Sequence, residues 1–562
     1  MPAERHGSVA LNARRALGTM APVALAALAV AATVLLYRPT LEYGFHYDDY
    51  HFIRPYSAGE LRAAFRGPWD SSGIELPFYR PLTVAFYAAR FQWFGLDARA
   101  HHALSLALFS LAALLLGTFV SGVSGRRWTG TLAVLLFVAH PSMPYALAAW
   151  ITNQMHLVET IVVLLAFVWW WSVARMRHVG WWVPLLLLGA TAFFVKEDGV
   201  MLLPSILALH WLHRRVVEPG SRPVPLSFAL LAAALLALLV FVRAEAVGDL
   251  RTYSLPDLDG AWRNFSRGLD RVFRLVPPDR PWQPVASWFA TLLPLAGLLS
   301  WKRAAPELRF LLAAGALLAV AFNLPFVFVT KLEQMHLVAT GAVLVLVGSS
   351  ACVLSSLPGS WRPAVILALL VGIASFAAVA RDITTDFEPY GPVVMATDEI
   401  VLGWAAVPEE LRDYLRSKRE PGAKARVPSN PLEALDVVAF GLHPRERSSD
   451  GTNYRWMAYA RAEIHVRPSA RYVEIPLRHE IGAFREPARV EVRAEGRLVD
   501  AMVLADDDWR VTRIALRSTR HRWRQAHRIH LTIPHAWKPA EIIRGSRDDR
   551  TLGIKIGEIL VR

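Results

Sequence analysis

Eleven apolar runs dominate the first 380 residues: Met20–Tyr37, His101–Val120, Trp128–Tyr145, Met155–Val173, Trp181–Val195, Gly199–Trp211, Leu226–Val242, Val285–Trp301, Leu308–Val329, Met335–Leu354 and Ala364–Val379. In a bilayer only a helix satisfies every backbone polar group within its own segment, and runs of this length suit that solution. The chain therefore reads as a multi-spanning α-helical membrane protein of about eleven spans. A content of 54% hydrophobic and 19% charged residues excludes an ordinary soluble enzyme. Arg14 and Arg15 precede the first run and no small-x-small cleavage pattern follows it, so that run is expected to be a retained helix rather than a removed signal peptide. Leu82–Gly95 reads as an interfacial segment.

Basic residues set the expected orientation, because cytoplasmic loops are enriched in Lys and Arg. Arg126–Arg127, Arg175–Arg177, Arg214–Arg215, Lys302–Arg303 and Arg362 all fall on the side of Arg14 and Arg15 when the spans alternate. The opposite, outer face then receives the loop after the first span, Ala146–Gln154, Lys196–Asp198, Ala244–Pro284 and Thr330–Gln334, and an odd span count sends the C-terminal region there too. The net charge of +14 is accounted for by these helix-end residues, with no basic block interleaved with aromatics that would suit nucleic acid. Cys352 is the single cysteine and lies in an apolar run, so no disulfide framework exists.

Beyond Arg381 the pattern becomes soluble. Residues 1–380 form the expected membrane domain, 381–452 a connector rich in Pro, Gly and charge, and 453–562 a second domain. Segments 461–466, 472–477, 488–494, 511–516, 528–533 and 553–561 alternate with the period of half-buried strands, which predicts a β-sandwich. Trp509 beside Asp506 and Trp537 before Asp548 are candidate glycan- or acceptor-binding groups, with core packing as the alternative.

The loop from Leu41 to Pro81 carries the most unusual chemistry. Asp48 and Asp49 are adjacent carboxylates among aromatic residues, flanked by His46 and His51, just beyond a span. Repulsion between two such carboxylates raises the proton affinity of one and leaves the other ionised. Asp48 is the candidate general base and Asp49 the group that orients an acceptor; a solvated turn at a helix start is the alternative. Arg80, Lys196 and Lys331 bring cations to the same face, suited to an anionic leaving group or to lipid headgroup contact. Glu197 offers Lys196 a structural ion pair. His140, His156 and Glu159, at the ends of the third and fourth spans, are candidate pocket residues. His46, Asp48, Asp49 and His51 have ligand types compatible with a divalent metal, but their spacing matches no metal signature, and a metal-free mechanism is preferred.

Taken in order, YDDYHFI (Tyr47–Ile53), FYRPLT (Phe78–Thr83), AHPSMPYALAAW (Ala139–Trp150) and VKEDGVMLLP (Val195–Pro204) resemble the GT-C class of membrane glycosyltransferases. The likeness is to the protein O-mannosyltransferase group and its relatives with tetratricopeptide repeats. The resemblance implies a GT-C-like bundle in a bacterial inner membrane that transfers a sugar, a hexose such as mannose, from a polyprenyl-phosphate carrier. The acceptor would be a glycan, lipid or protein on the outer face, with membrane lipids as surroundings. This sequence departs from the family where Trp150 is followed by Asn153, Gln154, Met155 and His156, and the nearest carboxylate, Glu159, lies a turn further into the helix. It also lacks the repeats. A transporter or flippase of a lipid-linked substrate is the rival reading, since buried ionisable groups also mark transport pathways. A membrane anchor displaying a glycan-binding domain is a second rival, and it leaves the Asp48 loop unexplained.

Overall fold

The apolar runs become helices because, among lipid tails, nothing else satisfies their backbone groups. The computed structural model describes residues 22–45, 48–68, 78–143, 151–174, 179–221, 223–248, 257–270, 272, 282–328, 336–386, 407–417, 430–448, 450–516 and 526–562. Its contacts divide into two compact units.

The first unit contains the helical bundle. Helix α1 is Pro22–Glu42; it is followed by the short helices α2 (Asp49–Phe52) and α3 (Ala58–Ala64), of which α2 belongs to the other unit. Then come α4 (Pro81–Phe94) and α5 (Ala98–Ser124), whose residues 86–94 and 98–101 belong to the other unit, and α6 (Arg127–Ala139), α7 (Gln154–Val173), α8 (Val183–Val195) and α9 (Leu202–Val216). Beyond them lie α10 (Leu226–Val247), α11 (Leu258–Asp270), α12 (Gln283–Leu299), α13 (Pro306–Asn323), α14 (His336–Ser356) and α15 (Arg362–Asp386). Each of the eleven expected runs carries a helix. Among the described residues, seven helices are long and apolar enough to cross a membrane: those containing α1, α5, α7, α10, α13, α14 and α15. Helices α6, α8 and α12 are shorter apolar helices; α6, with 13 residues, rises only about 20 Å against a hydrocarbon core of about 30 Å.

Helix α14 is the most deeply enclosed span, with 94% of its apolar window buried. Glycines on both helices let α13 and α14 approach at backbone distance: a Cβ at Gly341 of α14 would lie 2.5 Å from the Ala319 nitrogen, and one at Gly315 of α13 2.4 Å from the Val345 nitrogen. Small residues at such a seam replace the hydrophobic drive that helices lack among lipid tails with close dispersion contact.

The second unit joins residues 42–57 and 86–101 to 389–562. Strands β1 (Val437–Phe440), β4 (Arg461–Val466), β9 (His527–Thr532), β6 (Ala488–Ala494) and β7 (Arg497–Leu504) form one antiparallel sheet in that order. A second sheet has the order β11 (Leu560–Val561), β5 (Tyr472–Arg478), β10 (Lys555–Ile556), β3 (Asn453–Trp456) and β2 (Glu446–Arg447), with β8 (Arg510–Ala515) also paired to β5. Alternation fixes the inner faces: Val473, Ile475 and Leu477 of β5 and Ile529 and Leu531 of β9 share one core, so the sheets pack as a sandwich. The expected strands at 461–466 and 488–494 form with those bounds. The expected run 553–561 is split into β10 and β11.

Both faces of β4 are buried. Glu463 and His465 point away from the sandwich core and are covered within the unit: the His465 ring packs on Phe91 and Phe440, with centroids 5.3 and 5.4 Å apart. Arg528 donates to the carbonyls of Gln92 (2.7 Å) and Phe91 (3.2 Å) at the C-terminal end of α4, where the Phe91 carbonyl also accepts the Gly95 N–H at 2.7 Å.

Candidate functional site

Two sequence-distant motifs meet in the first unit. Glu197, at the start of the 3₁₀ turn Glu197–Met201, accepts the Tyr79 backbone N–H at 2.8 Å through one carboxylate oxygen and Arg80 Nε at 2.8 Å through the other. Thr83 Oγ1 donates to the Val195 carbonyl at 2.7 Å. The FYRPLT and VKEDG segments are thereby stitched together at the N-terminal end of α4 and the C-terminal end of α8. The turn folds tightly because Gly199 lies against α8, where a Cβ would stand 2.4 Å from the Ala192 carbonyl carbon.

Lys196 caps α8 and is 6% exposed. Its ammonium is hydrogen-bonded to Asp198 and lies 3.8 Å from Glu159 on α7. It also faces the Phe326 ring, 5.3 Å from the centroid. The partner of Lys196 is thus Asp198, while the neighbouring Glu197 turns to Arg80. Burial alone would raise the Asp198 carboxyl, but the adjacent Lys196 ammonium holds it below the usual carboxylate range. Arg80 is 7% exposed and packs over Phe78 at 4.2 Å. Two cations and three carboxylates therefore form one nearly buried cluster, with Met155 Sδ 3.5 Å from Arg80 Nη1.

His140 and His156 belong to the same unit and are each 1% exposed. His140 Nδ1 accepts the Ser142 N–H at 3.2 Å and its ring packs edge-on to Phe376. His156 opens α7, and its carbonyl accepts the Thr160 hydroxyl.

Asp48, Asp49 and His51 belong to the second unit. Asp48 precedes α2 and its carbonyl accepts the N–H groups of His51 and Phe52, which fixes the turn; its side chain is half-buried. Asp49 is fully buried. The adjacent pair is thus divided by a helix start, one carboxylate inward and one toward the edge. Asp49 lies in the electrostatic field of Arg90 and Tyr50. Burial, reinforced by Asp49, pushes the Tyr50 hydroxyl far above its usual value. His51 is 1% exposed and packs on Phe52. His46 and Lys331 lie outside the described residues. Among the described residues, no three His, Cys, Asp or Glu side chains group in a way that would hold a metal ion.

Two residues of this chemistry escaped the sequence reading. Arg90 is fully buried and stacks over Tyr87 at 4.2 Å; the signal was its being the only charged residue in α4. Asp198 was visible only as part of a charged loop. Both candidate glycan-binding tryptophans are half-buried: Trp537 packs on Phe484 and His479, with centroids 4.9 and 4.8 Å apart, and Trp509 lies by the Arg478 guanidinium. Asp506 pairs with Arg510, and Asp548 with Arg550.

No family model matches the chain, and no curated protein matches it. Among solved structures, a match is arabinosyltransferase EmbB from Mycobacterium smegmatis, determined by single-particle cryo-EM, at 13% identity and a TM-score of 0.36. The alignment covers 96% of this chain and 64% of that one, so the chain spans just under two thirds of its length. A likeness of that degree leaves function to be read from this chain's own residues.

Proposed function

We propose that this protein is a GT-C-type membrane glycosyltransferase that moves a sugar from a polyprenyl-phosphate carrier to an acceptor hydroxyl on the outer face of a bacterial inner membrane. The observation that carries the reading is the junction of FYRPLT with VKEDG through Glu197, since it turns two of the four motifs of the resemblance into one buried ionic cluster. In this reading Asp48 takes the acceptor proton as the new C1–O bond forms and the C1–O bond to the lipid phosphate breaks. The half-buried setting of Asp48 favours it as the base over Asp49, which is fully buried near Arg90 and is assigned an orienting role. Arg80 and Lys196 are assigned to the departing lipid phosphate, with Lys331 as a further cation. His46, His51, His140, His156, Glu159 and Glu197 are assigned to the pocket, and mannose is the sugar that the resemblance favours.

The test is to incubate the purified protein with a panel of polyprenyl-phosphate sugars and an acceptor glycan, and to measure release of polyprenyl phosphate. Asp48→Asn keeps shape and hydrogen bonding but cannot take a proton, and is expected to lower turnover on the order of a hundred- to ten-thousand-fold without loss of folded protein. Asp49→Asn is expected to cost less. Wild-type turnover in Asp48→Asn would remove this loop from the mechanism, and no lipid phosphate release with any donor would favour transport.

A further inference from the structure

We propose that the bundle holds an anionic phospholipid in a groove between the N-terminal end of α6, the C-terminal end of α14 and the N-terminal part of α15. The groove has a volume of about 460 Å³ and is walled by Leu132, Leu135, Leu369 and Ile373, with Arg126 and Arg362 among its lining residues. Arg126 precedes α6 and Arg362 opens α15, so two elements bring a guanidinium to the same end of an apolar channel.

Three observations select the occupant. Among the described residues, no carboxylate forms an ion pair with either arginine, so the end of the groove is a positive site without an internal counter-charge. Arginine forks match phosphate oxygens in geometry as well as sign. From Arg362 to Ile373 the helix rises about 16 Å, close to half of a bilayer's hydrocarbon thickness of about 30 Å, which is the depth reached by an acyl chain in one leaflet. Trp128 and Trp361, 39% and 64% exposed, stand beside the two arginines as residues of the headgroup level do. The Lys and Arg pattern assigns this end to the cytoplasm, opposite the face proposed for sugar transfer. The groove is therefore a separate lipid site, and its occupancy does not depend on the transfer activity.

The experiment is native mass spectrometry of the full chain, delipidated in detergent and titrated with phosphatidylglycerol or phosphatidylcholine of identical acyl chains. Wild-type protein is expected to keep phosphatidylglycerol preferentially, and Arg126→Gln/Arg362→Gln to lose roughly thirtyfold in its apparent affinity. Arg126→Lys/Arg362→Lys is expected to retain most of that preference, which separates charge loss from misfolding. Leu370→Trp, at an exposed position of the lining, is expected to weaken both lipids by crowding the channel. Equal retention of the two lipids by the wild type would overturn the proposal. So would unchanged phosphatidylglycerol retention in the Gln variant, or a lipid-free dimer in place of a lipid-bound monomer.

Discussion

Gly199→Ala tests whether the geometry of the KEDG turn holds the ionic cluster together. A Cβ at this position would stand 2.4 Å from the Ala192 carbonyl carbon, 2.5 Å from its oxygen and 2.8 Å from the Phe193 nitrogen. Ordinary carbon contacts begin near 3.5 Å, so the turn and α8 must separate by about 1 Å. All three atoms are backbone, and no rotamer change can relieve the clash. Helix α8 is itself held from the other side, where Gly189 lies against Leu203 of α9. Overpacking of a tight interior costs about 1–3 kcal/mol, and a backbone-only clash belongs at the upper end of that range. Lys196, Glu197 and Asp198 ride on the displaced turn, so the cluster loses its register as well. The assay is the fraction of monodisperse protein left after graded heating in detergent, with Gly359→Ala as the control, since a Cβ there meets nothing within 4 Å. Gly199→Ala is expected to aggregate at clearly lower temperature than wild type and control, and to lose donor turnover. A heating curve matching the control would refute the close-approach argument.

Two further perturbations probe the bundle and the sandwich separately. Gly341→Leu places a side chain 2.5 Å from the Ala319 nitrogen and is expected to part α13 from α14, read as loss of the monodisperse peak on size-exclusion chromatography. In the β domain, burial would raise the Glu463 carboxyl, but the hydrogen bond from His465, with the charges of His530 and Arg461, holds it below the usual range. Burial likewise holds His530 below the usual imidazole range. Both groups bind protons more readily when unfolded, so stability present at neutral pH is lost as pH falls, first below the unfolded histidine value and then through the carboxylate range. Protection of the β4 and β9 amides in the full chain, taken relative to the intrinsic exchange rate at each pH, is expected to fall from pH 7 to pH 4, and Glu463→Gln to flatten the carboxylate part of that response.

Periodicity carried most of the fold. Bilayer burial demands long apolar runs, and sheet burial demands alternation, so the eleven helices and strands such as β4 and β5 were legible one by one. Strand β7 was missed although its sequence, RLVDAMVL, alternates weakly; most of its side chains are exposed and only Leu504 is buried, so there was little pattern to read. Strands β10 and β11 read as one because the apolar residues on either side of the Gly557–Glu558 pair continue the alternation, while the Gly557 backbone N–H turns to the Pro476 carbonyl and breaks the run. For the site, Asp48, Arg80 and Lys196 stood out as charges beside apolar runs, but pairing was hidden. Glu197 and Asp198 are adjacent, and only the tight turn decides that one faces Arg80 and the other Lys196. The inward turn of Asp49 toward Arg90 depends on where α2 starts, which a polar dipeptide does not specify.

The charge balance around Lys196 constrains how the proposed donor is bound. Each cation of the cluster already has a carboxylate partner, Arg80 with Glu197 and Lys196 with Asp198, so a phosphate meets no unmatched positive charge in the cluster as it stands. It has to displace a carboxylate, and Glu197 is the one placed to yield: its side chain is 12% exposed, against 8% for Asp198 and 1% for Glu159. Glu197 also keeps a second anchor, the Tyr79 N–H, when Arg80 turns away. Exchange of Glu197 for phosphate at Arg80 then conserves the fork geometry of the guanidinium. Glu197→Gln separates the two roles of the pair. Removing the carboxylate takes the hydrogen-bonded ion-pair partner from the nearly buried Arg80, which is expected to destabilise the free protein by about 3 kcal/mol. The same change removes the competitor for the donor phosphate, so the polyprenyl-phosphate sugar is expected to bind more tightly and to restore thermal stability as it saturates. Opposite signs in the heating curve and in donor affinity are the signature of an exchangeable pair. Loss of stability together with weaker donor binding would make Arg80 a structural residue and remove it from the phosphate site.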